Sequence, residues 1–359
     1  MLRIQLLQPK AVYVHCFAHS SNLSIQDAVR SVPIVRDVMQ SLRDLATVTR
    51  SSAKRMDAFK TIAQRVETYN AVTPRPFCPT RRTVRFAAID AALKSYPVIL
   101  PFLSEVASMS TADDSASKAH GLISQFENGR TLLALLMAHQ VFPITDSLSC
   151  SLQSSTATVL GGLAAVNACL TQLRSMRSDE RFAELWREAE SKISQYDLRE
   201  LALPRHIQPP KRYNYCHQQR STAHKFESAM DYFKVQYFVF IDNVIQHIVD
   251  RFMQPGMRIY SQMESLILKA CHGEDFSMDA QDVCSVFDEL DQSRLECQLH
   301  MLPDLCSKHA AIRTVSDFTT FFRQKDTEVR CLFSEVHRLL QLLLVVPASS
   351  IACDGLRPT

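Results

Sequence analysis

The chain has 359 residues, is 46% hydrophobic, and carries 40 Lys and Arg against 37 Asp and Glu, a formal net charge of +3. This length and apolar content suffice for one large or two ordinary globular domains. The small charge excess does not indicate nucleic-acid binding by itself, so such a function has to rest on local clusters. Only 7 glycines occur, which disfavours sheet-rich folds with many tight turns.

The cysteine and hydropathy patterns are typical of a soluble protein in a reducing compartment. The 11 cysteines are an odd number without regular spacing, and no charged and then apolar leader opens the chain. Apolar runs such as Leu339 to Val346 are far shorter than the roughly 20 residues that span a bilayer, so we expect no membrane segment. Neither a G-x-G-x-x-G nor a G-x-x-x-x-G-K-[ST] motif is present, which excludes those nucleotide-phosphate loops.

A short apolar run from Ala11 to Cys16 predicts a strand, and helical periodicity follows it. Apolar positions recur at helical spacing from Val29 to Val48 and again from Phe59 to Val66. Pro33 and Pro97 stand where helices are expected to begin, because proline is tolerated in the first turn. The first part of the chain is therefore predicted to consist mainly of successive helices.

The second half of the chain has one clear interruption. Prolines and basic residues break the periodicity between Gln195 and Ser221, which predicts a linker or long loop. One long helix is predicted from Ala223 to Met253, ending before the stop signal Pro255-Gly256. A final pair of helices is predicted over Asp317 to Val346.

Two basic clusters are candidates for nucleic-acid contacts. The first contains Arg75, Arg81, Arg82 and Arg85. The second lies in the proline-rich stretch and contains Arg205, Lys211, Arg212 and Arg220. A solvated surface explains either cluster as well as phosphate binding does, and both interpretations stay open here.

Cys16 and His19 are spaced like metal ligands, but the sequence predicts no metal site. Two ligands cannot complete a tetrahedral zinc site, and no second pair stands at a matching spacing. The simpler interpretation is a strand-to-helix turn, with a helix opening at Asn22. There the thiol is buried and the imidazole bonds a nearby backbone group.

The order of several motifs resembles the hAT transposase superfamily, in particular transposon-derived proteins related to the MYM-type and TTF-type zinc-finger groups. The family pattern Cys-x-x-His-x-x-Asn-Leu is matched by Cys16, His19, Asn22 and Leu23. The later pattern Cys-Pro-Thr-Arg-Trp is similar to the run Cys78, Pro79, Thr80, Arg81 and Arg82. The resemblance extends from about Ala11 to Cys353.

The resemblance implies an RNase H-like sheet with a large helical insertion, and three acidic residues that hold two divalent metals for strand transfer. In the family the first two acids precede the Cys-x-x-His segment, and here Met1 to Val14 contain no Asp or Glu. By the resemblance, Asp354 would be the degenerate counterpart of the third acid, but a solvated residue on a frayed tail is the simpler interpretation. Arg82 replaces the family's Trp, and a guanidinium is a poorer stacking platform for a flipped base than an indole. The resemblance therefore implies no catalytic activity and no cofactor, with Mg²⁺ or Mn²⁺ bound only in a full-length active form.

We therefore expect a predominantly α fold in three parts: a partial RNase H-like region at 1–83, a helical insertion domain at 84–302 with a Pro-rich loop at 195–221, and truncated C-terminal helices at 303–359. The expected function is that of a truncated, catalytically inactive hAT transposase-derived protein with residual DNA or protein binding. DNA contacts are expected through Arg81, Arg82 and Arg85, with Arg75 beside them. The alternatives are a domesticated nuclear interaction scaffold and a partial gene model of an active DNA transposase. The resemblance implies the nucleus, with DNA or other nuclear proteins as partners and no membrane; without it, the cytoplasm is expected.

Overall fold

The computed structural model describes residues 17–66, 71–75, 85–109, 114–153, 158–204, 226–307 and 312–344, together with Leu6. Of these residues 82% are helical and none belongs to a strand, which confirms the predicted predominantly α class. The predicted strand from Ala11 to Cys16 lies outside the described residues. The RNase H-like remnant therefore stays a prediction.

The helices in chain order are α1 Phe17–Ser31, α2 Pro33–Arg50, α3 Ala53–Arg65, α4 Arg85–Lys94, α5 Tyr96–Met109, α6 Asp114–Phe126, α7 Gly129–Ser151, α8 Val159–Met176, α9 Asp179–Gln195, α10 Ala229–Phe252, α11 Pro255–His272, α12 Ser277–Val286, α13 Gln292–His300, α14 Leu302–Cys306, α15 Val315–Arg323, α16 Thr327–Leu332 and α17 Ser334–Leu344.

The chain forms two compact units, each assembled from segments that are distant in sequence. Unit 1 comprises Met1–Ile25, Ser147–Thr171 and Gln246–Thr359, and unit 2 comprises Gln26–Asp146 and Gln172–Ile245. The limits of the units fall within α1, α7, α8 and α10. The predicted division at residues 83/84 and 302/303 was drawn from the resemblance to the transposase family. It stays a prediction.

Unit 2 is built on the packing of α5 against α6 and α3, and of α2 against α6 and α3. A chain of aromatic contacts continues the core, with the Phe182 and Trp186 ring centroids 5.9 Å apart and those of Trp186 and Phe233 6.1 Å apart. Tyr237 is fully buried, and its hydroxyl lies 3.2 Å from both Gln140 Oε1 and the Met176 carbonyl oxygen. This hydrogen bonding satisfies the polar end of a side chain whose ring supplies core volume.

Unit 1 has α11 at its centre, in contact with α12, α13, α14 and α17. Glu264 of α11 is 4% exposed, and its two carboxylate oxygens accept the N–H groups of Val159 at 2.7 Å and Leu160 at 2.8 Å. Burial raises the pKa of Glu264, and these two hydrogen bonds limit the rise. The carboxylate therefore satisfies N–H groups at the start of α8 that have no partner within that helix.

Local sequence signals fixed several helix boundaries where they were predicted and missed others. The prediction that a helix begins at Pro33 is confirmed, and α10 ends at Phe252, before the predicted stop. However, α10 begins at Ala229, six residues later than predicted. The reason is that the Ser228 hydroxyl accepts the Asp231 N–H at 3.1 Å, which is the geometry of an N-cap.

The C-terminal region contains three helices over the described residues where a pair was predicted: α15, α16 and α17. The first is fixed by a capping box, in which Thr314 and Asp317 satisfy each other's backbone N–H groups. It ends at Arg323, and Asp326 and Phe333 interrupt the periodicity before and after α16. Apolar spacing alone did not show these two interruptions, because the apolar positions keep nearly the same period across them.

Among the described helices, α7 is the single helix that has the length and hydropathy of a membrane span. Its most apolar window is 61% buried inside the protein. A helix of this kind is also typical of the core of a globular protein, since a core helix is apolar on nearly all sides. α4 and α5 also pass the same test as a pair, but they are bent by 83°.

Candidate functional site

The residues of the first predicted motif lie on α1, which is already helical at Phe17, five residues before the predicted opening at Asn22. Asn22 is 7% exposed and occupies a helix interior, Leu23 is half-buried, and His19 is exposed. Cys16 lies outside the described residues. The prediction of a turn opening a helix at Asn22 is therefore wrong.

Buried serines explain why this polar stretch is helical. Ser24 Oγ lies 2.9 Å from the Ser20 carbonyl oxygen, one helical turn earlier, and 3.0 Å from the His247 carbonyl oxygen. Ser21 Oγ and Ser149 Oγ are 2.7 Å apart and buried. Serine side chains can return a hydrogen bond to their own helix, so these hydroxyls are buried without loss of helical structure. The matched motif is part of the packing of unit 1.

The predicted basic cluster is only partly described. Arg75 is exposed, whereas Cys78, Pro79, Thr80, Arg81 and Arg82 lie outside the described residues, as does Asp354. The segment next to Arg75 is held in place, because Ser95 Oγ lies 2.8 Å from both the N–H nitrogen and the carbonyl oxygen of Val72.

Arg85 occupies the first position of α4, and it is 3% exposed. Asp146 is near enough to Arg85 for the two charges to interact. Burial raises the pKa of Asp146 to about 6, and the charge of Arg85 and the Phe86 N–H limit the rise. A buried charge is costly without an opposite charge near it, and the interaction with Asp146 offsets part of this cost for Arg85. The expectation that Arg85 stands on a solvent-facing side next to Arg82 therefore does not agree with its burial.

A different set of arginines surrounds a cavity of about 530 Å³ in unit 2, which we call the arginine groove. Its lining residues come from α1, α2 and α4: Gln26, Val29, Arg30, Arg36, Asp37, Met39, Gln40, Arg43 and Arg85. The α2 side arises directly from the sequence, because Arg36, Gln40 and Arg43 are spaced i, i+4, i+7 and share one helix face. Val35, Val38 and Leu42 lie on the buried face of α2, so Arg36, Gln40 and Arg43 point away from the core.

The lining of the arginine groove has four arginines and one carboxylate, a formal charge of +3. Arg36 donates to Asp37 Oδ1 from Nε at 3.1 Å and from Nη2 at 3.0 Å, while Arg130 Nη2 lies 3.8 Å from Asp37 Oδ2. Exposed pairs of this kind contribute about 0–1 kcal/mol and hold the arginine only weakly. The Arg36 guanidinium can therefore reorient towards an anionic ligand at small cost.

Three further contacts involve residues at the rim of the arginine groove. Arg43 Nη1 donates to Gln40 Oε1 at 3.1 Å, and Gln40 Nε2 in turn donates to Asp44 at 3.0 Å. Arg30 lies 3.9 Å from Asp27. Since a guanidinium has five N–H donors, Arg30 keeps donor capacity for a phosphate or carboxylate.

Sequence analysis missed Arg30, Arg36 and Arg43, which are absent from both predicted clusters. A signal was available in the i, i+4, i+7 spacing on the polar face of α2. It was overlooked because the arginines are interleaved with Asp37 and Asp44, so the segment has no visible excess of charge.

Metal ligands do not gather in the described part of the chain. Among its His, Cys, Asp and Glu residues, no group of three could hold a metal ion. The pairing of Cys16 with His19 lies outside this test, because Cys16 is not among the described residues.

No protein-family model matches the chain, and no solved structure matches it. The resemblance to hAT transposases thus depends on the motifs alone.

Proposed function

We propose that this chain is a hAT transposase-derived protein that binds DNA without cleaving it, and that it contacts DNA phosphates through the arginine groove. The observation that carries the proposal is the set of Arg30, Arg36 and Arg43 around one cavity, with buried Arg85 behind them. The ordered motifs from Cys16 to Thr80 support the choice of DNA among anionic ligands.

The proposal assigns binding and not strand transfer to the chain. Two-metal phosphodiester chemistry requires carboxylates that converge on both metals. The stretch Met1 to Val14 contributes no carboxylate, and we assign no catalytic role to Asp354. Purified protein is expected to release no nicked or cleaved product from plasmid DNA with Mg²⁺ or Mn²⁺. Cleavage that disappears on substituting a particular Asp or Glu would contradict this assignment.

Contacts of arginines with phosphates are independent of base sequence and release counterions. The logarithm of the association constant should therefore fall linearly with the logarithm of salt concentration, by about 0.9 per neutralised phosphate on duplex DNA. The sharpest test is fluorescence anisotropy with a labelled duplex across a series of salt concentrations. Arg36→Ala combined with Arg43→Ala is expected to reduce the slope by about 2.

Arg258→Ala is the matched control, since Arg258 is an exposed arginine on α11 in unit 1. It should leave the salt slope nearly unchanged. A second double variant, Arg81→Ala with Arg82→Ala, separates the arginine groove from the cluster predicted by sequence. If only that second variant flattens the slope, DNA binds at the predicted cluster and the arginine groove is not the site.

A further inference from the structure

Two cysteines of unit 1 lie against each other, although they are 35 positions apart in the sequence. Cys271 is next to last in α11, Cys306 is the last residue of α14, and these two helices are in contact. The two Sγ atoms are 3.8 Å apart, a distance at which thiols form a weak hydrogen bond. Folding thus brings together two thiols that no regular spacing in the sequence connects.

Both side chains are free thiols and are nearly buried. Cys271 is 9% exposed and Cys306 is 6% exposed. The sulfur atoms of a disulfide are about 2.0 Å apart, so these two have to approach by about 2 Å to form one. Rotation of a cysteine about its Cα–Cβ bond moves the sulfur over this range. The pair is therefore one short movement away from a disulfide.

The helix that carries Cys306 is short enough to open locally. α14 consists of the five residues Leu302–Cys306, and its Leu305 N–H donates to the Met301 carbonyl oxygen over a long distance of 3.4 Å. The next residue, Ser307, is exposed. Short segments with few backbone hydrogen bonds open at a smaller free-energy cost than core helices do. A small neutral oxidant such as hydrogen peroxide can therefore reach the Cys306 sulfur.

Cys306 is the better nucleophile of the two. Its pKa is held below the ordinary value for cysteine, first by its hydrogen bond with the Cys271 thiol and then by the positive charge of Lys325, while burial opposes this change. The same hydrogen bond and burial raise the pKa of Cys271. Because the thiolate and not the thiol attacks an oxidant, we expect oxidation to begin at Cys306.

We propose that Cys271 and Cys306 are a redox-sensitive pair, which a peroxide oxidises reversibly to an intramolecular disulfide. The Cys306 thiolate attacks one oxygen of the peroxide, the O–O bond breaks, and the departing hydroxide is protonated to water, leaving a sulfenic acid. The Cys271 sulfur then attacks the Cys306 sulfur, the S–O bond breaks, and the second hydroxide takes the Cys271 proton. Two thiols lose two electrons, and one hydrogen peroxide becomes two waters. A small thiol such as glutathione restores the pair by exchange.

The disulfide acts on the packing of unit 1. It closes a loop that contains α12 and α13, and it fixes α14 to the central helix α11. Closing such a loop removes conformational freedom from the unfolded chain, so the oxidised form resists unfolding. In a reducing compartment, which the cysteine pattern predicts, disulfides are typically transient and sense the redox state.

Mass spectrometry of the full chain tests whether the two cysteines become linked. The variant Cys297→Ser is treated with hydrogen peroxide under native conditions, the remaining thiols are blocked, and the chain is digested with trypsin and a glutamate-specific protease. The peptide 270–274 then contains Cys271, and the peptide 297–308 contains Cys306 as its one cysteine. We expect these two peptides to be linked, and the link to disappear after treatment with dithiothreitol.

Cys271→Ala and Cys306→Ala, each added to Cys297→Ser, remove one partner of the pair. Alanine is chosen because it is small and apolar enough for a buried position. Neither variant should give the linked peptides. Cys331→Ala is the matched control, since Cys331 is an exposed cysteine of unit 1. It should form the link to the same extent as the chain that keeps Cys331.

Urea denaturation followed by circular dichroism measures the effect on unit 1. Oxidation should raise the denaturation midpoint by about 1 M in the unmodified chain and in Cys331→Ala. It should not raise the midpoint in Cys271→Ala or Cys306→Ala. Each oxidised variant is compared with its own reduced form, so a loss of stability caused by the substitution itself does not affect the result.

Three results would overturn the inference. The first is no link between Cys271 and Cys306 in the native chain under conditions that oxidise the exposed Cys331. The second is a link that forms only in urea. The third is an equal rise of the midpoint in the variants that lack one cysteine of the pair. The inference does not rest on the proposed function, because the pair belongs to unit 1 and the arginine groove to unit 2.

Discussion

The two grooves of unit 2 are similar in size, about 530 and 500 Å³, but differ in how their charge is balanced. In the arginine groove, carboxylates stand beside the arginines, as Asp37 does beside Arg36 and Arg130. The second groove, which we call the acidic groove, is lined by Trp186, Glu190, Ile193, Ser194, Asp197, Leu198, Glu200 and Leu201. Its three carboxylates are exposed and form no ion pair with the described residues. The comparison shows that a nearly neutral chain can carry two strongly charged cavities, so its net charge of +3 gives little information on ligands.

The grooves also differ in their relation to the core. The floor of the acidic groove includes Trp186, which belongs to the aromatic core of unit 2. The charge nearest the core at the arginine groove is that of Arg85, which is balanced by Asp146. Stability should therefore depend on an apolar side chain at one groove and on an ionisable pair at the other.

The largest expected effect is at the floor of the acidic groove. Trp186→Ala should lower the free energy of unfolding by about 3–5 kcal/mol, because it removes a buried aromatic ring from a packed core. Urea denaturation followed by circular dichroism measures this. Leu203→Ala is the control, since Leu203 is 41% exposed, and it should change stability by less than about 0.5 kcal/mol. A loss below about 1 kcal/mol for Trp186→Ala would show that this floor is not part of the core.

An intermediate effect is expected at Asp146, and it depends on pH. The pKa of Asp146 is raised from 3.8 to about 6 in the folded chain, so its protonated form is favoured by folding. Its contribution to stability is fully present below the unfolded value of 3.8 and is lost as pH rises through about 6. In Asp146→Asn this loss should be absent, so the decline in stability between pH 4 and 7 should be shallower than in the unmodified chain.

Denaturation midpoints at several pH values test this prediction. Asp57→Asn serves as the control, because Asp57 is exposed and forms no ion pair with the described residues. It should leave the pH profile unchanged. A profile that is equally steep in Asp146→Asn and the unmodified chain would mean that Asp146 ionises in the folded chain as easily as in the unfolded one.

The smallest expected effects are at the two rims. Arg36→Ala and Glu190→Gln should each change the free energy of unfolding by less than about 0.5 kcal/mol, because both side chains are exposed. Thermal unfolding of the two variants measures this directly. A loss above about 1 kcal/mol at either rim would indicate that the charge there supports the fold, and its effect on binding would then need to be separated from unfolding.

Much of the helical architecture was predictable because its causes are local. The periodicity from Val29 to Val48 predicted the helical region that became α1 and α2, and Pro33 marked where α2 begins. The stop before Pro255 was equally clear, since proline has no N–H to continue a helix. The late start of α10 was missed, because Ser228 acts as a cap only in the conformation that the folded chain gives it.

The candidate sites were much less predictable. The stripe of Arg36, Gln40 and Arg43 is visible in the sequence once α2 is known, but its meeting with Arg30 and Arg85 is not. Arg85 illustrates the limit most clearly. Its neighbours in sequence suggested a solvent-facing position, but Arg85 is buried, and its charge interacts with Asp146, a residue 61 positions away.

The amino-acid sequence by itself determined the α class, the approximate helices and the small net charge, because propensity, periodicity and composition act over a few residues. Tertiary structure alone decided which charged side chains surround a cavity, which are buried, and which lack a partner. Those properties depend on desolvation and on Coulomb interactions between residues that only folding brings together. The arginine groove and the acidic groove are both consequences of that packing.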